Sequence, residues 1–121
     1  MPLNKDIVHL YEPTPLQCGQ AVLAMLTGKS VSEIANFLNN ERETTLKEML
    51  YVLEQTGINC SKNRVAVSNK KDLPKVCFLS LETPKCWHWS MYVNGVFYDP
   101  EYGVLDDFPS SNRRYYWEIT E

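Results

Sequence analysis

The chain has 121 residues, of which 44% are hydrophobic, and it carries a formal net charge of −3. A chain of this size and composition can bury a core within one domain, which we expect to span residues 1–121. Its mild acidity, with only short clusters of lysine and arginine, argues against a nucleic-acid-binding surface. No apolar run approaches the ~18 residues of a membrane helix, so no membrane partner is expected either.

The cysteines and the N-terminal residues bear on the compartment. Residues 1–13 lack the sustained apolar core of a signal peptide. Cys18, Cys60, Cys77 and Cys86 include no CxxC pair and no compact disulfide framework. We therefore expect a cytoplasmic protein with free thiols, unless another system delivers it into a host or target cell.

Three helices are predicted in the first half of the chain. The first follows the segment PTPLQCGQAVLAML at residues 13–26 and ends at Gly28, because glycine readily adopts a left-handed backbone. Two capping boxes begin the second and third helices. The boxes pair Ser30 with Glu33 and Thr45 with Glu48. Each predicted helix has one apolar stripe: Val22, Leu23, Met25 and Leu26 in the first, Ile34, Phe37 and Leu38 in the second, and Leu46, Met49, Leu50 and Leu53 in the third.

From residue 58 onward the helical period gives way to short runs rich in β-branched and aromatic residues. Helices followed by strands favour an α+β fold in which the N-terminal helices pack on an antiparallel sheet. The predicted strands cover residues 58–67, 75–82, 86–93, 96–100 and 113–120.

A tight hairpin is predicted at Asn94-Gly95, a pair that favours a two-residue type I′ turn. Counting outward from this turn, the register runs as far as Ser90 opposite Asp99. His88 and Asp99 then share one face as diagonal neighbours, with Cα atoms ~7–8 Å apart and a side-chain hydrogen bond within reach. The opposite face, with Trp89, Met91, Val93, Val96, Tyr98 and Pro100, is predicted to be the core surface.

Cys18 lies where the first loop becomes the first helix. It is either a buried structural thiol, since free cysteine is often buried, or a nucleophile. The free N–H groups and the dipole of a helix N-terminus favour a thiolate, and a nearby imidazole oriented by a third group would complete the arrangement. Cys18, His88 and Asp99 provide these three groups in that chain order.

Three segments, CGQAVLAMLTGKSVSEIANFL, TTLKEMLYVLEQTGI and HWSMYVNGVFYDPEYGVL, resemble successive blocks of the C39-like, papain-type cysteine peptidases. The resemblance covers roughly residues 12–108. It implies a papain-like fold as a minimal single domain, with Cys18 as nucleophile, His88 as general base and Asp99 as the residue that orients the imidazole. The family position that donates to the oxyanion usually holds Gln, but here it is Glu12.

The residues leave several roles open around this expected triad. The candidates for oxyanion stabilisation are Gln17, Gln20, a protonated Glu12, or the Cys18 backbone N–H together with another donor, since an ionised carboxylate would repel the developing charge. Weaker candidates for bordering a substrate groove are the aromatic residues Trp87, Trp89 and Tyr92. No metal or organic cofactor is expected, because the spacing of Cys86 and His88 with Cys18 or Cys77 matches no standard structural zinc site.

We therefore expect a cysteine hydrolase that cleaves an amide, peptide or isopeptide bond in a peptide or protein substrate. The same triad would also serve a glutamine deamidase or an acyltransferase, including an effector that acts on a host protein. A non-catalytic binding module with the papain fold is a further alternative, because Glu12 could impair the oxyanion site.

Overall fold

The computed structural model describes residues 6–120, and within them the fold is α+β, with three helices followed by a seven-stranded antiparallel sheet. This agrees with the fold class expected from the sequence. The helices are α1 (Cys18–Thr27), α2 (Val31–Leu38) and α3 (Leu46–Gln55). The strands are β1 (Asn59–Cys60), β2 (Val65–Ala66), β3 (Val76–Glu82), β4 (Trp87–Val93), β5 (Val96–Asp99), β6 (Gly103–Leu105) and β7 (Arg114–Thr120).

Local capping interactions set the helix ends, as the sequence predicts. The Ser30 side chain accepts a hydrogen bond from the Glu33 amide while the Glu33 carboxylate accepts from the Ser30 amide, and Thr45 with Glu48 repeats this arrangement. Such boxes satisfy N–H groups that have no partner within the helix. Gly28 ends α1 with a φ of 77°, in the left-handed region.

The strands lie in the order β1, β7, β3, β4, β5, β6, and β2 also pairs with β7. The predicted strand at residues 58–67 is interrupted and forms only the two-residue strands β1 and β2. Strand β6 was not predicted, because its three residues follow Asp99-Pro100 without an alternating pattern. A short 3-10 turn at Lys70–Asp72 precedes β3.

The hairpin between β4 and β5 has the predicted turn. Asn94 and Gly95 have φ values of 47° and 92°, as a type I′ turn requires, and Tyr92 pairs with Phe97. The prediction that the register continues to Ser90 opposite Asp99 is wrong, because the registered pairs end after Tyr92–Phe97.

Two backbone groups beyond that point, the Trp89 amide and the Pro100 carbonyl, have other partners. In a continued register the Trp89 amide would donate to the Pro100 carbonyl. Instead the Trp89 amide donates to Cys18 Sγ at 3.5 Å, and the Pro100 carbonyl accepts from the Glu12 amide at 2.8 Å. The start of α1 and the loop before it therefore occupy the place where the two strands separate.

Both faces of the sheet are buried, rather than only the face that was predicted to form the core. The helices pack on one face, around Phe78, Met91 and Trp117. The second face carries its own apolar cluster, of Cys77, Leu79, Leu81, Tyr92 and Phe97, against which Leu73, Leu105, Phe108 and Tyr116 pack.

One residue of the predicted helix stripes lies outside the core. Phe37 of α2 is 53% exposed, and its ring stacks on that of Tyr51 in α3 with centroids 5.8 Å apart. The buried residues of α2 are Ile34 and Ala35. The buried face of α2 is therefore narrower than the stripe of apolar residues along this helix. The longest helices in residues 6–120 have ten residues, and none combines the length and apolar composition of a membrane span.

Candidate active site

Cys18 is the first residue of α1, and its thiol lies against the sheet. Its side chain is buried, and Sγ accepts the Trp89 amide hydrogen bond at 3.5 Å. The residue before it, Gln17, makes no side-chain cap, so the first N–H groups of α1 have no side-chain partner from that position. Such a helix N-terminus stabilises negative charge on a group placed there.

Gly19 allows this close approach of α1 to the sheet. A Cβ at this position would lie 2.7 Å from the Thr44 Cβ and 2.9 Å from the Trp89 Cδ1. Trp89 is itself fixed, because its indole N–H donates to the Thr44 carbonyl at 2.8 Å. The Cys-Gly pair therefore combines a thiol with the small residue that brings the helix end against β4.

His88 and Asp99 form the hydrogen bond that the hairpin predicts, although the ladder between their strands is shorter than expected. His88 Nε2 lies 2.9 Å from Asp99 Oδ1, and the two side chains are 2% and 0% exposed. The same Oδ1 accepts the amide hydrogens of Glu101 and Tyr102 at 2.8 and 2.9 Å. These contacts fix the carboxylate and, through it, the plane of the imidazole.

The pair is electrostatically matched. Burial by itself would lower the pKa of His88, but the hydrogen bonds and charges of Asp99 and Cys18 outweigh it and raise the pKa to about 10. Burial would raise the pKa of Asp99, yet His88 and the two backbone amides hold that pKa below its usual value. The favoured state is therefore an imidazolium against a carboxylate.

The imidazole lies close to the thiol. Because Nε2 is engaged by Asp99, Nδ1 is the ring nitrogen left to interact with Cys18, and this interaction contributes to the raised pKa of His88. One donor atom each of Glu12, Cys18 and His88 lies within 4.8 Å of the other two. The structure thus brings together Cys18, His88 and Asp99, with Glu12 as a fourth group.

Two contacts hold the segment that carries Glu12 against the end of β5. The Glu12 amide donates to the Pro100 carbonyl, and His9 Nε2 lies 2.7 Å from the Asp99 carbonyl oxygen. The His9 ring also packs edge-on against Tyr11. No local sequence pattern could have predicted this contact of His9, since its partner lies 90 residues away.

The carboxyl group of Glu12 is poorly solvated. Its Oε1 atom is buried and has no hydrogen-bond partner. The pKa of Glu12 is raised to about 7, mainly because burial disfavours the charged form. The negative charges of Glu101 and Asp99 also raise this pKa, whereas the positive charges of His88 and Lys85 lower it. Near neutral pH the group is therefore divided between its acid and ionised forms.

The other two oxyanion candidates have structural partners. The Gln17 amide donates to Gln20 Oε1 at 2.9 Å, and the Gln20 amide donates to the carbonyls of Asn40 and Arg42 at 2.6 and 3.0 Å. Gln20 thus ties the start of α1 to the loop after α2, and Gln17 bonds to Gln20. Glu12 has a carboxylate oxygen within 4.8 Å of both the Cys18 sulfur and a ring nitrogen of His88.

The three aromatic residues expected at a groove have different environments. Tyr92 is buried in the second core, where it packs on Phe97, so it does not line an open groove. The half-buried Trp89 ring packs against core residues. Trp87 is 47% exposed and stacks on Tyr115. The ring of Tyr102, a residue that was not predicted to border the site, lies edge-on to the His88 ring with centroids 5.9 Å apart.

The remaining cysteines are free, as expected, and they lie in other environments. Burial raises the pKa of Cys77 strongly and that of Cys60 to about 11, which makes both thiols poor nucleophiles. Cys86 is exposed at the start of the hairpin. Cys18 is the one of the four that combines a helix N-terminus with a buried imidazole.

A thiol and an imidazole placed close together, with a carboxylate that orients the imidazole, can perform nucleophilic acyl transfer. Comparisons of the chain with protein-family models, with curated proteins and with solved structures find no match.

Proposed function

We propose that this protein is a cysteine hydrolase of the papain-like, C39-like type, which cleaves an amide, peptide or isopeptide bond in a peptide or protein substrate. The observation that carries the proposal is the buried His88–Asp99 pair, at 2.9 Å, beside a cysteine at a helix N-terminus. An imidazole fixed in this way activates a neighbouring thiol and holds a proton for the leaving group.

In the first step Cys18 Sγ attacks the carbonyl carbon of the substrate, and the carbonyl oxygen takes the negative charge. His88 then donates its proton from Nδ1 to the leaving nitrogen, the C–N bond breaks and a thioester remains on Cys18. Asp99 keeps the imidazole oriented and stabilises its cationic form, as the third member of such triads does.

In the second step His88 accepts a proton from water, and the water oxygen attacks the thioester. His88 can act as an acid in the first step and as a base in the second because Cys18 is one of the groups that raise its pKa. Once the sulfur is acylated its negative charge is gone, and the imidazole is freer to exchange protons. Breaking the C–S bond releases the acid and restores the thiol–imidazole pair.

The developing oxyanion is stabilised by the Cys18 backbone N–H at the start of α1 and by Glu12 in its protonated form. A carboxylic acid kept neutral by its surroundings can donate a hydrogen bond, as glutamine does, whereas the ionised form repels the oxyanion. The buried, unpartnered Oε1 and the raised pKa of Glu12 support this role.

The same acyl-enzyme serves two related reactions. Water as acceptor and a glutamine side chain as donor make the protein a deamidase, and an amine acceptor makes it an acyltransferase. A non-catalytic binding module is favoured by one observation, that Glu12 stands beside Cys18 and His88 and is half ionised near neutral pH. A cytoplasmic location, with or without delivery into a target cell, is part of the proposal.

Trapping of the acyl-enzyme tests the proposed function without knowledge of the substrate. The protein is treated with an activated acyl ester, and its adducts are located by peptide mass spectrometry in the native chain and in the Cys18→Ala, His88→Ala and Cys86→Ser variants. We expect one adduct on Cys18, lost in the first variant, strongly slowed in the second and unchanged in the third. Acylation of Cys86 in place of Cys18 would contradict the proposal.

A further inference from the structure

Glu12, Cys18 and His88 also provide three different metal-ligand atoms around one point. An oxygen, a sulfur and a ring nitrogen lie within 4.8 Å of one another, on side chains that are buried or half-buried. This combination of oxygen, sulfur and nitrogen donors is one that Zn²⁺ accepts in proteins. The three residues come from the loop before α1, the start of α1 and strand β4.

The spacing is close to that of a tetrahedral site. Zinc bonds of about 2.3 Å to sulfur and about 2.0–2.2 Å to nitrogen and oxygen place the donors about 3.3–3.6 Å apart. Closing the site from 4.8 Å needs a movement on the order of 1 Å, small for a glutamate side chain. Glu12 Oε1 is also buried without a hydrogen-bond partner, so no bond is lost when it turns toward a cation.

Asp99 already supplies what such a site needs behind its histidine. Metal-ligating histidines almost always donate their second ring N–H to a carboxylate or carbonyl, which fixes the tautomer and the ring orientation. His88 makes this bond from Nε2 to Asp99 Oδ1 and leaves Nδ1 for the cation. Two backbone amides hold Asp99 in turn.

We propose that Glu12, Cys18 and His88 form a binding site for a thiophilic divalent cation of the zinc class, with water as the fourth ligand, and that the bound cation reversibly blocks the Cys18 thiol. On binding, sulfur and Nδ1 become ligands and the proton that the pair shared is released to solvent. The cation is an inhibitor rather than a cofactor, because coordination lowers the charge and the nucleophilicity of the sulfur and occupies the ring nitrogen that would act as acid and base. The inference does not depend on the proposed hydrolase activity, since ligation requires only these three side chains.

The glutamate is what distinguishes this site from a bare cysteine–histidine pair. A carboxylate is a charged, strongly donating ligand, whereas an amide oxygen at the same place is neutral and weak. Glu12→Gln keeps the size of the side chain and the backbone contact to Pro100, so it isolates the ligand role. Cys86→Ser is the matched control for the effect of an exposed thiol elsewhere on the chain.

Cobalt(II) titration followed by absorption reports the site directly, through the thiolate-to-cobalt charge-transfer band and the intense bands of tetrahedral cobalt. We expect one Co²⁺ per chain, displaced by Zn²⁺, with the same affinity in Cys86→Ser and no band in Cys18→Ala. Glu12→Gln should weaken binding by at least about tenfold, the lower limit for loss of even an outer partner. Equal affinity in Glu12→Gln, or a band that persists in Cys18→Ala, would overturn the inference.

Zinc protection of Cys18 from iodoacetamide gives a second measurement that needs no substrate. Micromolar Zn²⁺ should slow alkylation of Cys18 in the native chain, and chelation should restore the rate. In Glu12→Gln the same protection should need at least about ten times more zinc. Protection without any acyl-enzyme formation would sustain the cation site and refute the hydrolase, and acylation with no zinc protection would do the reverse.

Discussion

The most informative substitution is Glu12→Gln, because it separates the acid form of Glu12 from its ionised form. The pKa of Glu12 is raised to about 7, mainly by burial. The protonated fraction, which donates to the oxyanion, is therefore about 0.9 at pH 6 and about 0.1 at pH 8. Oxyanion stabilisation is present below pH 7 and is lost as the pH rises through that value.

The expected size of the effect is about tenfold between pH 6 and pH 8, the ratio of those two fractions. Loss of one oxyanion donor lowers the rate of acyl transfer by about 10²–10³-fold. Between pH 6 and pH 8 the fall in the acylation rate is therefore limited by the fraction of Glu12 that is protonated and not by the strength of the donor. His88, with its pKa raised to about 10, keeps its charge throughout and does not produce the same change. Glu12→Gln donates at every pH and should show no fall.

The assay divides the rate of Cys18 acylation by an activated ester by the rate of its alkylation by iodoacetamide, in buffer containing a chelator. Both reactions need the thiolate, but only acylation passes through an oxyanion, so the ratio isolates the contribution of Glu12. We expect the ratio to fall about tenfold from pH 6 to pH 8 in the native chain and to stay constant in Glu12→Gln. A constant ratio in the native chain, or a parallel fall in the variant, would refute the reasoning.

Three further predictions concern stability, each measured by chemical denaturation. Gly19→Ala should destabilise the fold by about 1 kcal/mol, since an overpacking cost of about 1–3 kcal/mol against Thr44 exceeds the helix-propensity gain of about 1 kcal/mol; a stabilised variant would contradict the close approach. Asp99→Asn should cost about 2–3 kcal/mol, most strongly between about pH 4 and pH 6.5. Because the pKa of Asp99 is lowered, the stability that the ion pair contributes is lost as the pH falls and Asp99 becomes protonated. Because the pKa of His88 is raised, that stability is also lost as the pH rises toward about 10 and His88 loses its proton. A cost of the substitution that is independent of pH would contradict the ion pair. Ser30→Ala should cost about 1 kcal/mol, with no change in Cys18 alkylation, because it removes a helix cap far from the site.

The parts of the fold that follow from local rules could be predicted from the sequence. Two capping boxes and the Asn94-Gly95 turn each depend on residues within four positions of one another, and all three are confirmed. The turn brings β4 and β5 side by side, and His88 and Asp99 are hydrogen-bonded as expected, although the ladder that was predicted to extend to them ends after Tyr92–Phe97.

The parts that failed depend on contacts between distant residues. Beyond the end of the ladder, the Trp89 amide and the Pro100 carbonyl bond to Cys18 and Glu12, which lie 71 and 88 residues away, and no pattern near Trp89 or Pro100 predicts these partners. His9 was missed for the same reason. Burial of the second sheet face, and with it of Tyr92, follows from how the chain after β6 folds back, which period-2 alternation cannot reveal.

The central claim is that Cys18 and His88 act as a pair, and the pH dependence of Cys18 alkylation tests it most directly. Peptide mass spectrometry would follow the iodoacetamide reaction of Cys18 from pH 5 to pH 9, with a chelator present, in the native chain and in His88→Gln, whose amide can still bond Asp99. An ordinary thiol loses roughly 100-fold of its thiolate between pH 8 and pH 6. We predict a loss of less than about tenfold for Cys18 in the native chain, and the full loss in the variant. A full loss in both, parallel to that of the exposed Cys86, would contradict the pair and with it the proposed chemistry.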